Sequence, residues 1–382
     1  MQTTDEGKRL DGYAKDERRY KETCIERNER LGIDKKIADF RVKMKQPYEF
    51  KRNYAELRAI EFARECDKRG INYHVSVGGL DSITLLIFLR HIGIDCPAIS
   101  ASGLEDKSIQ AIHKQLGVES VKPLRSKVEV IREFGFPVLS KEIAGKIMHL
   151  QNPTDKNATI RHAIITGETG EYGGWRKDTR MKMSQRWLEL FGGADAEGAA
   201  LGYKAAPFKV SDRCCYYLKE KPCDDWAKSH NSAPYLGLMA SEGGRREKAL
   251  MMHGCNYFGE STIRSAPFAI FDRQDVLRLA VELDVPIPEI YGRIVREPSG
   301  KLRTTKAQRT GCSMCGFGIH LDKRPHTFDL LYDRNPKEWD FWMNKVGWGA
   351  VLDYIGVEWR QSERQTDLFE VIDDDIGGEV TA

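Results

Sequence analysis

Between Asn72 and Ile92 the hydrophobic period of the chain changes, and it changes at a pair of glycines. Asn72-Tyr-His-Val-Ser-Val77 reads as a short strand, whereas beyond Gly78-Gly79 the residues Leu85, Leu89 and Ile92 share one face of a helix. Ala98-Ile-Ser-Ala101 gives a second strand, and Ile109, Ile112 and Leu116 give the next helical face. Upstream, Ala55, Ala59, Phe62 and Cys66 recur at helical spacing in a segment that stops near Gly70. Strands that alternate with helices predict an α/β fold, a parallel sheet covered on both faces.

The strand-to-helix turn Val77-Gly-Gly-Leu-Asp-Ser82 is the first candidate site. Two glycines let the backbone turn sharply and approach a ligand closely. The helix that follows offers unpaired N–H groups and the positive end of its dipole, which together suit an anion. Ser82 is placed to donate to a phosphate oxygen, and Asp81 either to cap the helix or to hold Mg²⁺. The loop has no lysine, so it is not a Walker A site, and it lacks the three-glycine dinucleotide fingerprint. A plain strand–turn–helix connection would present the same residues.

The second candidate is a set of cysteines. Nine of them, an odd number at uneven spacing, argue against a disulfide framework and for metal binding or thiol chemistry. No secretory signal or membrane-length apolar run is read, so the expected setting is a reducing cytoplasm, away from any membrane. Cys214-Cys215 and Cys312-Ser-Met-Cys315 form two pairs, with 97 positions from Cys215 to Cys312. Four thiolates are what a cubane iron–sulfur cluster requires, one per iron. A Cys-x-x-Cys alone serves zinc or a redox pair equally, although adjacent cysteines suit tetrahedral zinc poorly. Cys24, Cys66, Cys96, Cys223 and Cys255 are expected to be small apolar fillers or bystanders.

Charge is uneven although the net is only +3. Lys35 to Arg52 holds seven cations against Asp39 and Glu49, and the tail from Gln361 holds seven acids against Arg364. Solvated surface is the plain reading of both. The expected organisation is a charged arm over 1–50, a nucleotide-binding domain over 51–300, a Cys-x-x-Cys and helical region over 301–360, and an acidic tail over 361–382. Within the domain, about 166–205 is glycine-rich and basic and reads as an inserted loop or lid. Ser265 to Leu283 and Thr327 to Ile355 regain helical periodicity.

With their neighbours, these motifs resemble the phosphoadenosine phosphosulfate reductase family of the PP-loop ATP pyrophosphatase, or adenine nucleotide alpha hydrolase, superfamily. The loop is similar to that superfamily's Ser-Gly-Gly-x-Asp-Ser, with Val77 in place of serine and Leu80 where many relatives have lysine. Phe208-Lys-Val-Ser-Asp-Arg-Cys-Cys215 with Leu218, Lys219 and Pro222, and Arg309-Thr-Gly-Cys-Ser-Met-Cys-Gly-Phe-Gly318, look like its cysteine segments. Gly135 to Lys141, Leu236 to Glu242 followed by Arg246, and Phe271 to Tyr291 resemble further family segments in the same order. The ending from Asn335 to Ile355 is similar to a subgroup found in bacteria and their phages.

The resemblance implies a Rossmann-like parallel sheet of the alpha hydrolase type with an added helical, cluster-bearing region. It implies ATP or adenylyl-sulfate bound by Val77, Gly78, Gly79, Leu80, Asp81, Ser82, Gly237, Glu242 and Arg246, of which Asp81, Ser82 and Arg246 would be catalytic. A 4Fe-4S cluster on Cys214, Cys215, Cys312 and Cys315 and an Mg²⁺ ion would follow. The family's reductases attack sulfate with a cysteine near the chain end, yet no cysteine follows Cys315 in the 67 residues after it. The expected activity is therefore ATP cleavage to AMP and pyrophosphate in sulfur transfer or nucleic-acid modification, similar to DNA phosphorothioation or tRNA thiolation. Sulfonucleotide reduction and non-catalytic nucleotide binding are the alternatives. DNA or tRNA, and a cysteine desulfurase or other sulfur donor, are the implied partners, and self-association is open. Arg176, Lys177, Arg180, Lys182 and Arg186, opposed by Asp178, would meet phosphates, with Trp175 and Trp187 available to stack on a base. Arg303, Lys306 and Arg309 would balance the charge of the cluster.

Overall fold

Strand β1 (Asn72–Ser76) lies inside a six-stranded sheet with β2 (Ala98–Ser100), β3 (Glu119–Ser120), β4 (Ser232–Leu236), β5 (Asn256–Phe258) and β6 (Ile263–Ser265), in the order β3-β2-β1-β4-β6-β5. Neighbours run parallel except β5 against β6. Register is fixed on both sides of β1, where Val75 faces Ala98 of β2 and Tyr235 of β4. This is the mixed α/β fold, with a mostly parallel sheet, that the alternating periods predict. The chain steps from β1 outward to β2 and β3, then crosses to β4 on the other flank. The order thus reverses at β1 and β4, and a crevice opens at the carboxyl ends of such neighbouring strands.

The computed structural model describes residues 23–260, 262–312 and 314–363, and the chain divides into two units, Met1–Cys315 and Gly316–Ala382. In the first unit, α1 (Tyr48–Arg69) buries Ala55, Ala59, Phe62 and Cys66 on one stripe and ends at Gly70, whose φ of 63° is a left-handed cap that glycine adopts without a Cβ clash. Helix α2 (Leu80–His91) is buried more widely than one amphipathic face, with Leu80, Ile83, Leu85, Leu86, Phe88 and Leu89 all in the core. Tyr235 of β4 joins them, packing edge-on to Phe62 at 4.9 Å. Each such side chain contributes about 1.5–3 kcal/mol by leaving water.

Two expectations change. The stretch read as an inserted loop contains helices Gln185–Phe191 and Ala196–Ala200, and Trp187, Leu188 and Phe191 are buried. Helices this short carry too few turns to show a period. The stretch read as helical from Ser265 begins instead as strand β6, and its helix α3 (Arg273–Glu282) starts only after Asp272, which caps it. Between them Ala266, Phe268, Ala269, Ile270 and Phe271 are buried without being helical. A short apolar run does not by itself declare its period.

The second unit has helices Thr327–Arg334, Pro336–Asp340 and Trp348–Ile355. Phe328 packs edge-on to Trp348 at 5.2 Å, and buried Asp329 is satisfied by Arg324, Gln361 and the His326 N–H. Residues 1–22 of the charged arm and the acidic tail from 364 lie outside the described residues, as does the Cys24 side chain. Residues 24–30 and 33–44 of the arm are helical. No described helix is long and apolar enough to cross a membrane.

Candidate functional site

The candidate phosphate loop, residues 77–82, leaves the carboxyl end of β1 and enters α2 through Gly79. Its side chains divide sharply. Val77 and Leu80 are buried in the core, so only their backbone groups are offered to the crevice. The Ser82 hydroxyl stays within the loop, donating to the Gly79 carbonyl at 2.9 Å and accepting from the Gly78 N–H at 2.7 Å. The Leu80 N–H, one of the expected phosphate donors, reaches the Tyr291 hydroxyl at 3.1 Å. Tyr291 in turn bonds Thr310 at 2.6 Å, and a Cβ on Gly79 would collide with the tyrosine hydroxyl and come within 3.1 Å of the threonine. Gly79 is glycine because these two side chains lie over it.

Asp81 does not cap α2. It pairs with Arg273, whose guanidinium also donates to the Gln308 carbonyl at 3.1 Å. Burial raises the Asp81 pKa above the usual carboxylate value, with Glu242 adding to the rise while Arg273, Arg309 and Arg246 oppose it. Three arginines from distant segments therefore act on one carboxylate at the end of β1. Arg246 is half exposed and pairs with Glu242 at 2.6 Å, one helical turn before it. Gly237, at the end of β4, packs so closely that an added Cβ would lie 3.0 Å from Ser82 Cα and 3.1 Å from Ser82 N. The loops after β1 and β4 thus meet at the reversal of the sheet, and the expected residues 77–82, Gly237, Glu242 and Arg246 gather there.

Cys214 and Cys215 occupy one helical turn, Arg213–Cys215, that runs on into a π-helical turn, Tyr216–Glu220. The Cys315 N–H closes the second pair on the Cys312 carbonyl at 3.1 Å, through Met314 in the left-handed region at a φ of 56°. All four are free thiols. Among the described residues, no three His, Cys, Asp or Glu side chains stand in a finished metal cage. The four thiols nevertheless lie within each other's electrostatic reach. Burial, with the three neighbouring thiols adding to it, pushes Cys214 up to about 12, and Lys127 opposes the rise. Burial likewise pushes Cys215 up to about 11, opposed by Lys141.

Lys219 completes the surroundings. Burial works against its ammonium, but Cys312 and Glu105, each hydrogen-bonded to it, outweigh burial and hold its pKa above the ordinary lysine value. Lys141 is held up in the same way by Cys215 and Glu220. Four thiols that act on one another, with Lys127, Lys141 and Lys219 acting on them, offer the sulfur ligands and positive charge that an anionic, thiolate-bound cluster would need. Arg303 pairs with Glu297 at 3.1 Å and Lys306 with Glu289 at 3.6 Å. Arg309 acts on Asp81.

Sequence reasoning missed Arg273, Tyr291, Thr310, Glu105, Lys127 and the bridging role of Lys219. Arg273, Tyr291, Thr310, Lys141 and Lys219 were at least contained in the family-like segments. Nothing in the sequence marks Glu105, whose carboxylate is buried beside Gly78, 3.7 Å from where a Cβ would stand. Of the basic text, Lys51 is buried against Asp275, whereas Arg176, Lys177, Arg180, Lys182 and Arg186 are exposed. Trp187 is core and Trp175 is exposed. No protein family, no curated protein and no solved structure matches this chain.

Proposed function

We propose that the chain is a PP-loop nucleotide enzyme of the phosphoadenosine phosphosulfate reductase type, with a Rossmann-like sheet, that cleaves ATP to AMP and pyrophosphate while activating a nucleic-acid acceptor for sulfur transfer. The observation that carries this reading is the gathering of Arg273, Arg309 and Arg246 around Asp81 at the end of β1. A carboxylate ringed by cations beside a helix start suits a triphosphate with its metal: the guanidiniums take the phosphate oxygens and the carboxylate the Mg²⁺. In the reaction the acceptor oxygen forms a bond to the α-phosphorus as the bond to the bridging oxygen of the β-phosphate breaks, and pyrophosphate leaves with that electron pair. Arg246 and Arg309 would hold the charge that develops on it. The donor's sulfur then bonds to the activated acceptor atom as that atom's bond to the adenylated oxygen breaks, and AMP leaves with the electron pair. Gly78 admits the phosphates close to the backbone, and where the Tyr291 and Thr310 side chains move off Gly79 the Leu80 N–H exchanges Tyr291 for a phosphate oxygen.

Cys214, Cys215, Cys312 and Cys315 would hold the 4Fe-4S cluster, with Lys127, Lys141 and Lys219 balancing its charge. When bound, the cluster supplies redox or sulfur-handling chemistry at the edge of the same crevice. A cysteine desulfurase or similar donor would supply the sulfur.

Anaerobic purification followed by iron, sulfide and zinc analysis tests the cysteine set, and pyrophosphate measurement with ATP and Mg²⁺ tests the loop. About four irons and four sulfides per chain, with pyrophosphate release abolished in Asp81→Ala, is the expected result. Zinc without sulfide would overturn the cluster, and absence of ATP binding would overturn the nucleotide site.

A further inference from the structure

Away from the phosphate loop, an open groove of about 570 Å³ is walled by the start of helix Ala158–Thr166, the loop at 168–175 and the turn at 195–197. We propose that this groove holds one nucleobase of a single-stranded nucleic acid, stacked on Trp175, while the flanking phosphates lie on the neighbouring cations. The inference rests on the function above only for the purpose of the strand; none of the groove's residues belongs to the nucleotide site or the cysteine set.

Trp175 is 73% exposed and sits at a φ of 51°, directly after Gly174 at 68°. A bulky residue in the left-handed region is strained, and the surrounding structure must hold it there. It does. The Thr169 N–H donates to the Arg176 carbonyl at 2.9 Å, the Arg176 N–H returns to the Thr169 hydroxyl at 3.0 Å, and the Trp175 N–H donates to the Gly170 carbonyl at 3.2 Å. A Cβ on Gly170 would stand only 2.7 Å from Thr159 Cγ2, so the loop is also packed against the helix. The indole is therefore presented by a pinned loop.

Opposite it the groove is polar. His162 lies between two carboxylates, 3.0 Å from Glu197 and 3.9 Å from Glu168, and buried Asp195 is neutralised by Arg161. Glu168 and Glu197 are both partly exposed, leaving acceptors for a ligand that brings N–H donors. An aromatic face with carboxylate acceptors fits two chemistries, a free amine or an amine-bearing base. The rim decides between them. From Trp175 to Arg186 five exposed cations stand against Asp178 alone, and the Lys177 ammonium is 3.6 Å from Glu168 at the groove edge. The groove's own lining carries Glu168, Asp195 and Glu197 against Arg161, so it is the cations beside the ring, and not the lining, that would take a phosphate backbone, which a free polyamine lacks. Stacking on the aromatic ring and phosphates on the cations is how single strands are held. The carboxylates further favour cytosine, adenine or guanine, whose exocyclic amines donate, over thymine or uracil.

Fluorescence anisotropy of labelled dodecamers on the full chain tests this: oligo-dC, oligo-dT and an abasic strand of equal length. Oligo-dC should bind about tenfold tighter than the abasic strand, the worth of one stacked base, and tighter than oligo-dT. Trp175→Ala should lose that tenfold and bind oligo-dC and the abasic strand alike, whereas Trp175→Phe keeps part of it. Glu168→Gln should narrow the preference of dC over dT, and Lys177→Ala with Arg180→Ala should flatten the salt dependence. Equal binding by the wild type and Trp175→Ala, an abasic strand bound as tightly as oligo-dC, or spermidine displacing oligo-dC through Trp175 at low concentration would each overturn the proposal. ATP binding and pyrophosphate release are measured on the same proteins. Their absence alongside Trp175-dependent strand binding would sink the proposed activity and leave the groove standing.

Discussion

The Lys219 ammonium donates to the Glu105 carboxylate, and that carboxylate is buried beside Gly78 of the candidate phosphate loop. Its other partner is Cys312, so one side chain ties the loop to the cysteine set. Lys219→Met would leave Glu105 buried without its cation and Cys312 without its donor. Loss of one partner from a buried pair costs about 3–5 kcal/mol, here tempered because Lys219 is one-third exposed. Affinity for the cluster should fall about 10–100-fold, the scale of losses on removing an outer-shell partner, read as iron and sulfide lost per chain. Lys219→Arg should keep most of both. Glu105→Gln should keep the iron, since the Cys312 bond survives, and its failure to do so would show that the bridge acts only through folding.

Gly237 and Gly78 both border the phosphate loop but answer differently to a methyl group. A Cβ on Gly237 meets the backbone of Ser82 at 3.0–3.1 Å, and backbone at a helix start cannot swing aside. On Gly78 it meets only side-chain oxygens, at 3.7 and 3.8 Å. Gly237→Ala should therefore cost about 1–3 kcal/mol by overpacking and displace the loop, weakening ATP binding on the order of tenfold. Gly78→Ala should melt within about 2 °C of the wild type, as expected where no strain arises. Calorimetric melting of the two variants separates these outcomes, and equal Tm values would refute the contact argument.

The parts of this site that were legible in the sequence are those written locally. The strand, the glycine pair and the helix at 72–91 announce themselves by a change of period, and the cysteines by their identity. What was not legible depends on chain segments meeting across long separations. Arg273 looks like one more helix-starting residue until the fold sets it against Asp81. Leu80 reads as a loop residue facing ligand, yet its side chain is in the core. Lys51 reads as one of a basic run, yet the fold buries it. Polar residues acquire these roles only from the partner that the topology brings, and no local pattern encodes the partner.

His74, in the middle of β1, gives the first unit an acid limit. It is buried, its Nδ1 lies 2.8 Å from the Ser232 hydroxyl, and its ring meets Trp226 edge-on at 5.1 Å. Burial, with the His230 charge adding to it, pushes its pKa down to about 4. The unfolded chain protonates this ring near pH 6.5 and the folded one only near 4, so stability is full above about 6.5 and is lost as pH falls toward 4. The slope approaches about 1.4 kcal/mol per pH unit for one such group. Buried His113, whose pKa is also lowered by burial, adds in the same direction. Urea unfolding at pH 8, 6 and 5 should show this decline, and His74→Gln should make it shallower. An unchanged slope in the variant would remove His74 from the account.

Lys51 is 5% exposed, with its ammonium 2.7 Å from Asp275 and 3.7 Å from Asp272, at the start of α3. Asp275 also accepts from the Asp272 N–H at 2.8 Å, so it has a second reason to stay where it is. Lys51→Met removes the cation and leaves that carboxylate buried, which costs about 3–5 kcal/mol. Asp275→Asn added to it removes the stranded charge while an amide oxygen still accepts the Asp272 N–H. The double variant should therefore recover much of the loss, and a double-mutant cycle should show strong coupling. Because Lys51 faces the core, Lys51→Met should leave the salt dependence of strand binding unaltered, in contrast to substitutions at Lys177 and Arg180. A flattened salt slope in a folded Lys51→Met protein would mean that this lysine reaches phosphate after all.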